Sequence, residues 1–158
     1  MRIMSFLGAV KILAALRYAS VIGPRVAVRL LSSEVEKQEP IWANMNVEEL
    51  GASRQNLQLI DVREPNELEY HGCFKGAINV PLGEVEEAFK LDAEEFKQKY
   101  GYPQPSKSDD NIVFHCLRGV RSHTALTAAH QLGYSKARHL EGGWKAWIKH
   151  ILENELKE

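Results

Sequence analysis

The chain has 158 residues, 44% of them hydrophobic and 26% charged, with 20 Lys and Arg against 21 Asp and Glu. That is enough chain for one domain with a useful core, and a net charge of −1 gives no reason to expect a nucleic-acid partner. Two cysteines, Cys73 and Cys116, are too few for a disulfide framework, and no Cys-x-x-Cys or Cys/His cluster suggests a metal, so neither metal nor cofactor is expected.

The near-neutral sum hides an asymmetry. Residues 1–33 hold Arg2, Lys11, Arg17, Arg25 and Arg29 and no acid, a charge of +5, whereas residues 34–158 sum to −6. A basic, acid-free start with Phe6, Leu7, Val10, Leu13 and Ala14 on one helical face has the composition of a mitochondrial transit peptide. Arg29-Leu30-Leu31-Ser32 reads as a matrix-protease site cut after Leu31. The expectation is a transit peptide over 1–31, a linker over 32–41 and a domain over 42–156, with the mitochondrial matrix as destination. The alternative is a cytoplasmic protein with a basic tail. Uncharged runs such as Ile3 to Val10 are too short to span a bilayer, so no membrane partner is expected.

Trp42 to Leu50 reads as a short entry strand and a short helix, with Asn46 as N-cap and Glu48 and Glu49 in the first turn. Leu57, Leu59, Ile60 and Val62 predict a buried strand that Pro65 and Asn66 stop, followed by a turn of helix over Glu67 to Tyr70. Ala77 to Val80 predicts a strand closed by Pro81. Leu82 to Tyr100 predicts one charged helix with Val85, Phe89 and Phe96 facing inward, and Gly101 to Asp110 a surface loop. Ile112 to Phe114 is the next strand, and a helix starts at Ser122 with Ala125, Ala128, Ala129 and Leu132 on one face. Ala137 to Leu140 gives a last strand, and Glu141-Gly142-Gly143 turns into a helix from Trp144 to Leu156. Such alternation predicts an α/β fold, a largely parallel five-stranded sheet with helices on both faces.

Cys116 stands where a strand ends and a helix begins. In parallel sheets the working loops lie at that edge. The free N–H groups of a helix start, with the helix dipole, make a cradle that favours an anion and lowers a thiol's pKa. Arg118 and Arg121 add two positive charges, and Gly119 lets the loop take a left-handed turn. The residues point to a reactive cysteine in an anion cradle, against the alternative of an inert buried thiol. His115 should point away from the Cys116 side by strand alternation, while His123 is close enough in sequence to touch the loop.

Several ordered blocks resemble a single rhodanese domain. Asp61-Val62-Arg63-Glu64 and Gly76-Ala77-Ile78-Asn79-Val80-Pro81-Leu82 resemble that family's amino-terminal motif. Cys116-Leu117-Arg118-Gly119-Val120-Arg121-Ser122 resembles its active-site loop, and Gly133-Tyr134 with Leu140-Glu141-Gly142-Gly143-Trp144 and Trp147 its carboxyl-terminal motif. The resemblance implies a rhodanese domain over 42–156 that moves a sulfane sulfur through a Cys116 persulfide. The donor would be thiosulfate or a low-molecular-weight persulfide, and the acceptor glutathione, another thiol or cyanide. Leu117, Arg118, Gly119, Val120, Arg121 and Ser122 would bind substrate, with Asp61, Arg63 and Trp144 supporting the pocket. Phosphatases with a related cradle have a loop one residue longer, ending in arginine where this chain has Ser122, read as the helix N-cap, which favours sulfur over phosphate. Thiosulfate-specialised members carry a basic residue after the cysteine, whereas here it is Leu117. A non-enzymatic sulfur carrier or partner-binding module is the alternative function, the expected state is a monomer or weak dimer, and Cys73 is a passive or a resolving thiol.

Overall fold

The computed structural model describes residues 44–156, so the expected transit peptide, its cleavage site, the linker and Trp42 lie outside the described residues. Five strands, β1 (Asn44–Met45), β2 (Gln58–Asp61), β3 (Ile78–Asn79), β4 (Ile112–His115) and β5 (Arg138–Leu140), form one sheet in the order β1-β5-β4-β2-β3. All four pairings are parallel, with Leu59 opposite Val113, Ile60 opposite Ile78, Phe114 opposite His139 and Asn44 opposite His139 on its other side. Parallel neighbours need crossover connections, and the six helices supply them: α1 (Val47–Ser53), α2 (Pro65–His71), α3 (Val85–Ala88), α4 (Ala93–Tyr100), α5 (Val120–Gln131) and α6 (Gly143–Glu155).

Central β4 is buried along its whole length, as a strand covered on both faces requires. Ile112 and Phe114 join Ile60, Phe89, Phe96, Leu126 and Ala129 in one cluster beneath α3, α4 and α5. Leu59 and Val113, one residue out of phase, join Met45, Leu50, Phe74, Leu140 and Trp147 in a second cluster beneath α1 and α6. Asn46 caps α1, accepting from the Glu49 N–H at 2.8 Å.

Three local differences from the sequence reading have physical reasons. Pro65 does not merely stop β2; it occupies the first position of α2, where its missing N–H costs nothing and Glu64 completes a capping box with Glu67. The single helix expected over Leu82 to Tyr100 is a 3-10 turn followed by α3 and α4, because Asp92 accepts the Glu94 and Glu95 N–H groups at 2.9 Å and starts a new helix. Helix α5 begins at Val120, two residues earlier than expected. Its N-cap is Gly119 with φ +93°, so Ser122 is a buried first-turn residue and not the cap. Among the described residues no helix is long and apolar enough to cross a membrane.

Candidate active site

The carboxyl ends of β2 and β4 are neighbours in the sheet, so the residues that follow them meet at one edge. After β4 the chain turns at Cys116 and enters α5. The Gly119 N–H donates to Cys116 Sγ at 3.2 Å. Burial pushes the Cys116 thiol up, but hydrogen bonds from Ser122, Arg118 and Gly119 outweigh it and hold the pKa below the ordinary thiol value. Ser122 Oγ donates to the Gly119 carbonyl at 3.0 Å, which leaves the Ser122 N–H as that residue's principal donor to sulfur. Cys116 is only 2% exposed, and its sulfur lies among main-chain donors.

The turn into α6 sets the orientation of those donors. Trp144 N–H reaches the Cys116 carbonyl at 2.8 Å, and Lys145 N–H reaches the Leu117 carbonyl at 3.0 Å. Two donors left over at a helix start thus take the loop's carbonyls outward, and the loop's own N–H groups are left facing the thiol. This contact requires backbone against backbone. Gly143 has φ +60°, and a Cβ there would lie 2.3 Å from the Cys116 oxygen and 2.9 Å from the Arg118 and Gly119 nitrogens. The Gly142-Gly143 pair belonged to the family resemblance, but nothing in its spacing announced this approach.

The two arginines of the loop differ. Arg118 is exposed and has no carboxylate partner among the described residues. Arg121 is held bidentately by Glu67 of α2, at 2.6 and 2.7 Å, so it is not a free positive charge as the sequence suggested. That pairing pulls Glu67 down to about 2 and raises Arg121, which the Cys116 thiolate also favours. Glu67 escaped the sequence reading because it lies 54 residues away; the signal was topological, since β2 and β4 had to be adjacent.

Leu117 and Trp144 wall a pocket of about 320 Å³ that His71, Lys145 and Ile148 complete, while Val120 projects outward. Trp144 Nε1 donates to the His71 carbonyl at 2.7 Å. Beneath this wall Asp61 and Arg63 form a fully buried pair, with Nη2 of Arg63 at 2.5 Å from Oδ2 of Asp61 and 2.9 Å from the Gly72 carbonyl. The Arg63 guanidinium lies 5.8 Å from the Trp144 ring centroid. His115 faces this side, away from Cys116, with its ring edge-on to Phe74 at 4.7 Å. Burial pushes its pKa down to about 4, Arg63 adding to the shift and Asp61 opposing it. His123 is exposed beside the His139 ring, and Cys73 is exposed between α2 and β3. Among the described residues no group of three or more His, Cys, Asp or Glu side chains is placed to bind a metal ion.

Such an arrangement stabilises a thiolate and any anion that forms on it. The rhodanese-like domain model matches residues 46–150. The mouse thiosulfate sulfurtransferase/rhodanese-like domain-containing protein 3 is 45% identical over 103 residues, which are 65% of each chain. The human thiosulfate:glutathione sulfurtransferase is 34% identical over 92 residues, covering 58% of this chain and 79% of that one. The solved structure of the human single domain sulfurtransferase TSTD1 superposes with a TM-score of 0.65 at 30% identity, over 68% of this chain and 96% of that one. The chain thus spans just under two thirds of the mouse relative's length, and it belongs to the rhodanese-like domain family.

Proposed function

We propose that the protein is a sulfurtransferase in which Cys116 carries the sulfur as a persulfide. The observation that supports this most directly is the Cys116 sulfur held among main-chain donors, with Gly119 N–H at 3.2 Å. The Cys116 thiolate attacks the outer sulfur of thiosulfate; an S–S bond forms to Cys116 as the donor's S–S bond breaks, and sulfite leaves with the electron pair. The acceptor thiolate then attacks the terminal sulfur of the persulfide. The bond to Cys116 breaks, its electrons return to the cysteine, and the thiolate is restored. Splitting the transfer in two is ordinary nucleophilic catalysis, and the loop N–H groups stabilise the anion at both stages. Arg118 attracts the anionic donor, and Arg121, its charge compensated by Glu67, ties α2 to the start of α5.

Thiosulfate or a low-molecular-weight persulfide is the donor and glutathione the acceptor in this reading, supported by what the human relative's name says of that protein. Leu117 and Trp144 line a partly apolar pocket beside the Cys116 loop, which favours an organic persulfide beside thiosulfate. The acid-free residues 1–33 support import into the matrix, with residues 1–31 removed and 42–156 forming the working domain. The deciding experiment is intact mass of the protein from residue 32 onward, before and after thiosulfate, beside Cys116→Ser. A gain of one sulfur atom in wild type only, removed by glutathione or cyanide, is expected. No gain from thiosulfate or from a glutathione persulfide would refute the assignment and favour a non-enzymatic module.

A further inference from the structure

A cavity lined by Arg54, Lys75 and Trp147 lies apart from Cys116. It has a volume of about 550 Å³ and lies where Leu57 leads into β2 and Gly76 leads towards β3, at the amino edge of the sheet. Cys116 follows β4 at the carboxyl edge, so the length of β2, about 13 Å for four residues, separates the two ends. The size is that of an ordinary small-molecule site, far larger than a bare inorganic anion needs.

The lining is one-sided in charge. Leu57, Leu59 and Trp147 make an apolar floor and wall; Arg54, Lys75 and Gln55 supply polar groups, and among the described residues no carboxylate lines it. The domain around it is acidic, with 13 Lys and Arg against 17 Asp and Glu over residues 44–156. Three of the five arginines in that span engage a carboxylate: Arg63 with Asp61, Arg121 with Glu67 and Arg138 with Glu49. Among the described residues, the two without a carboxylate partner are Arg118, in the Cys116 loop, and Arg54, in this cavity. Arg54 is held by aromatic faces instead, its guanidinium 5.4 Å from the Phe74 centroid and 5.8 Å from that of Trp147. Stacking fixes the plane of an arginine and leaves its N–H edge available for a bidentate partner. Lys75 is exposed and likewise has no carboxylate partner among the described residues.

We propose that this cavity is a second ligand site, separate from the sulfur chemistry, which takes a small planar organic anion: its ring lies against Trp147 and the leucines, and its carboxylate or phosphate meets Arg54 and Lys75. The juxtaposition of an unpaired, stacked arginine, a second free cation and an apolar wall defines that class. Phe74, which carries Arg54, also packs on Trp144 at 4.8 Å, so an occupant would sit two ring contacts from the Cys116 loop.

The test is calorimetric titration of the full chain carrying Cys116→Ser with 2-naphthoate, 1-naphthyl phosphate, the neutral 2-naphthamide and inorganic phosphate, with tryptophan fluorescence as a second readout. One-to-one, saturable binding of one of the two aromatic anions is expected, about tenfold or more tighter than the amide. The carboxylate and phosphate arms identify the preferred headgroup. Arg54→Gln should weaken binding by about tenfold and exposed Lys75→Gln in the same direction, while thiosulfate leaves it unchanged. Lys75→Gln decides the matter if Arg54→Gln disturbs folding. No saturable binding of either aromatic anion, equal binding of the amide, or unchanged affinity in both variants overturns the proposal. Displacement by thiosulfate overturns it too, since the anion would then be at the Cys116 loop.

Discussion

Replacing Gly143 by alanine isolates the contact on which the Cys116 loop depends. The residue has φ +60°, which costs a non-glycine roughly 1–2 kcal/mol. The added methyl would also lie 2.3 Å from the Cys116 carbonyl oxygen, far inside any tolerable approach. To relieve this the loop and α6 must part by about 1 Å, given that carbon contacts are favourable near 3.5–4 Å. Parting lengthens the Trp144 and Lys145 hydrogen bonds to the loop, now 2.8 and 3.0 Å, and disorders the donors aimed at sulfur. The combined cost is about 2–4 kcal/mol in urea unfolding, and each unit by which the thiol pKa rises lowers its thiolate fraction at neutral pH by about tenfold. Gly101→Ala is the control. It shares the left-handed backbone, at φ +74°, but its methyl would meet nothing within 4 Å. It should therefore lose only the conformational part and leave iodoacetamide labelling of Cys116 unchanged. Equal unfolding midpoints for the two variants, with equal labelling rates, would refute the reasoning.

Four further outcomes follow from particular groups. In a Cys73→Ser background, the rate of Cys116 alkylation should titrate with a midpoint below the usual 9.0 of a thiol; a midpoint at or above it would contradict the cradle. A double-mutant cycle on Glu67→Gln and Arg121→Gln should give a coupling of about 1 kcal/mol, modest because both groups are part-exposed, and zero coupling would remove the pair from the site's support. Asp61→Asn leaves Arg63 charged and buried without its partner, so unfolding free energy should drop by about 3–5 kcal/mol, and a loss under 1 kcal/mol would mean the pair is not buried as described. His115 has a folded pKa of about 4 against an ordinary 6.5, so the unfolded chain binds the extra proton between those values and stability falls as pH is lowered through that window, by roughly 3 kcal/mol in all. His115→Met should flatten that stretch of the pH–stability curve while leaving the loss below pH 4.5 that comes from Glu67, whose pKa is about 2; a curve that keeps its slope from 6.5 to 4 would exclude His115 as the source.

Much of the fold was legible because each strand announces itself locally. Ile112 to Phe114 is an uninterrupted apolar run, Asn46 and the two glutamates after it mark a helix start, and alternation correctly sent His115 to the face opposite Cys116. What failed were effects that local patterns do not carry. Asp92 reads as one more charge in an acidic helix until its side chain folds back on two N–H groups. Ser122 has the residue type of a cap, yet Gly119 takes that place because only the glycine adopts the left-handed turn easily. Arg121 carries a charge that the sequence counts as available, and only the adjacency of β2 and β4 brings Glu67 to neutralise it. The position of Cys116 at a strand end was readable; the set of groups that surround it depended on which turns the sheet order brings together.

Because the sulfur is held chiefly by main-chain N–H groups, in a loop whose Cys116 and Leu117 carbonyls are anchored on α6, the side chains of Leu117, Arg118 and Val120 are released from that duty. Arg118 and Val120 project outward and Leu117 faces a neighbouring pocket, and none of the three lends its side chain to the cradle. On the proposed function, reactivity and selectivity belong to different parts of one short segment. Exchanging Leu117 or Val120 should alter which sulfur compounds are admitted without unsettling the thiolate, whereas a single methyl on a glycine of the opposing turn alters the thiolate and touches no substrate. A loop built this way can be re-aimed at new substrates by changes that leave its chemistry intact.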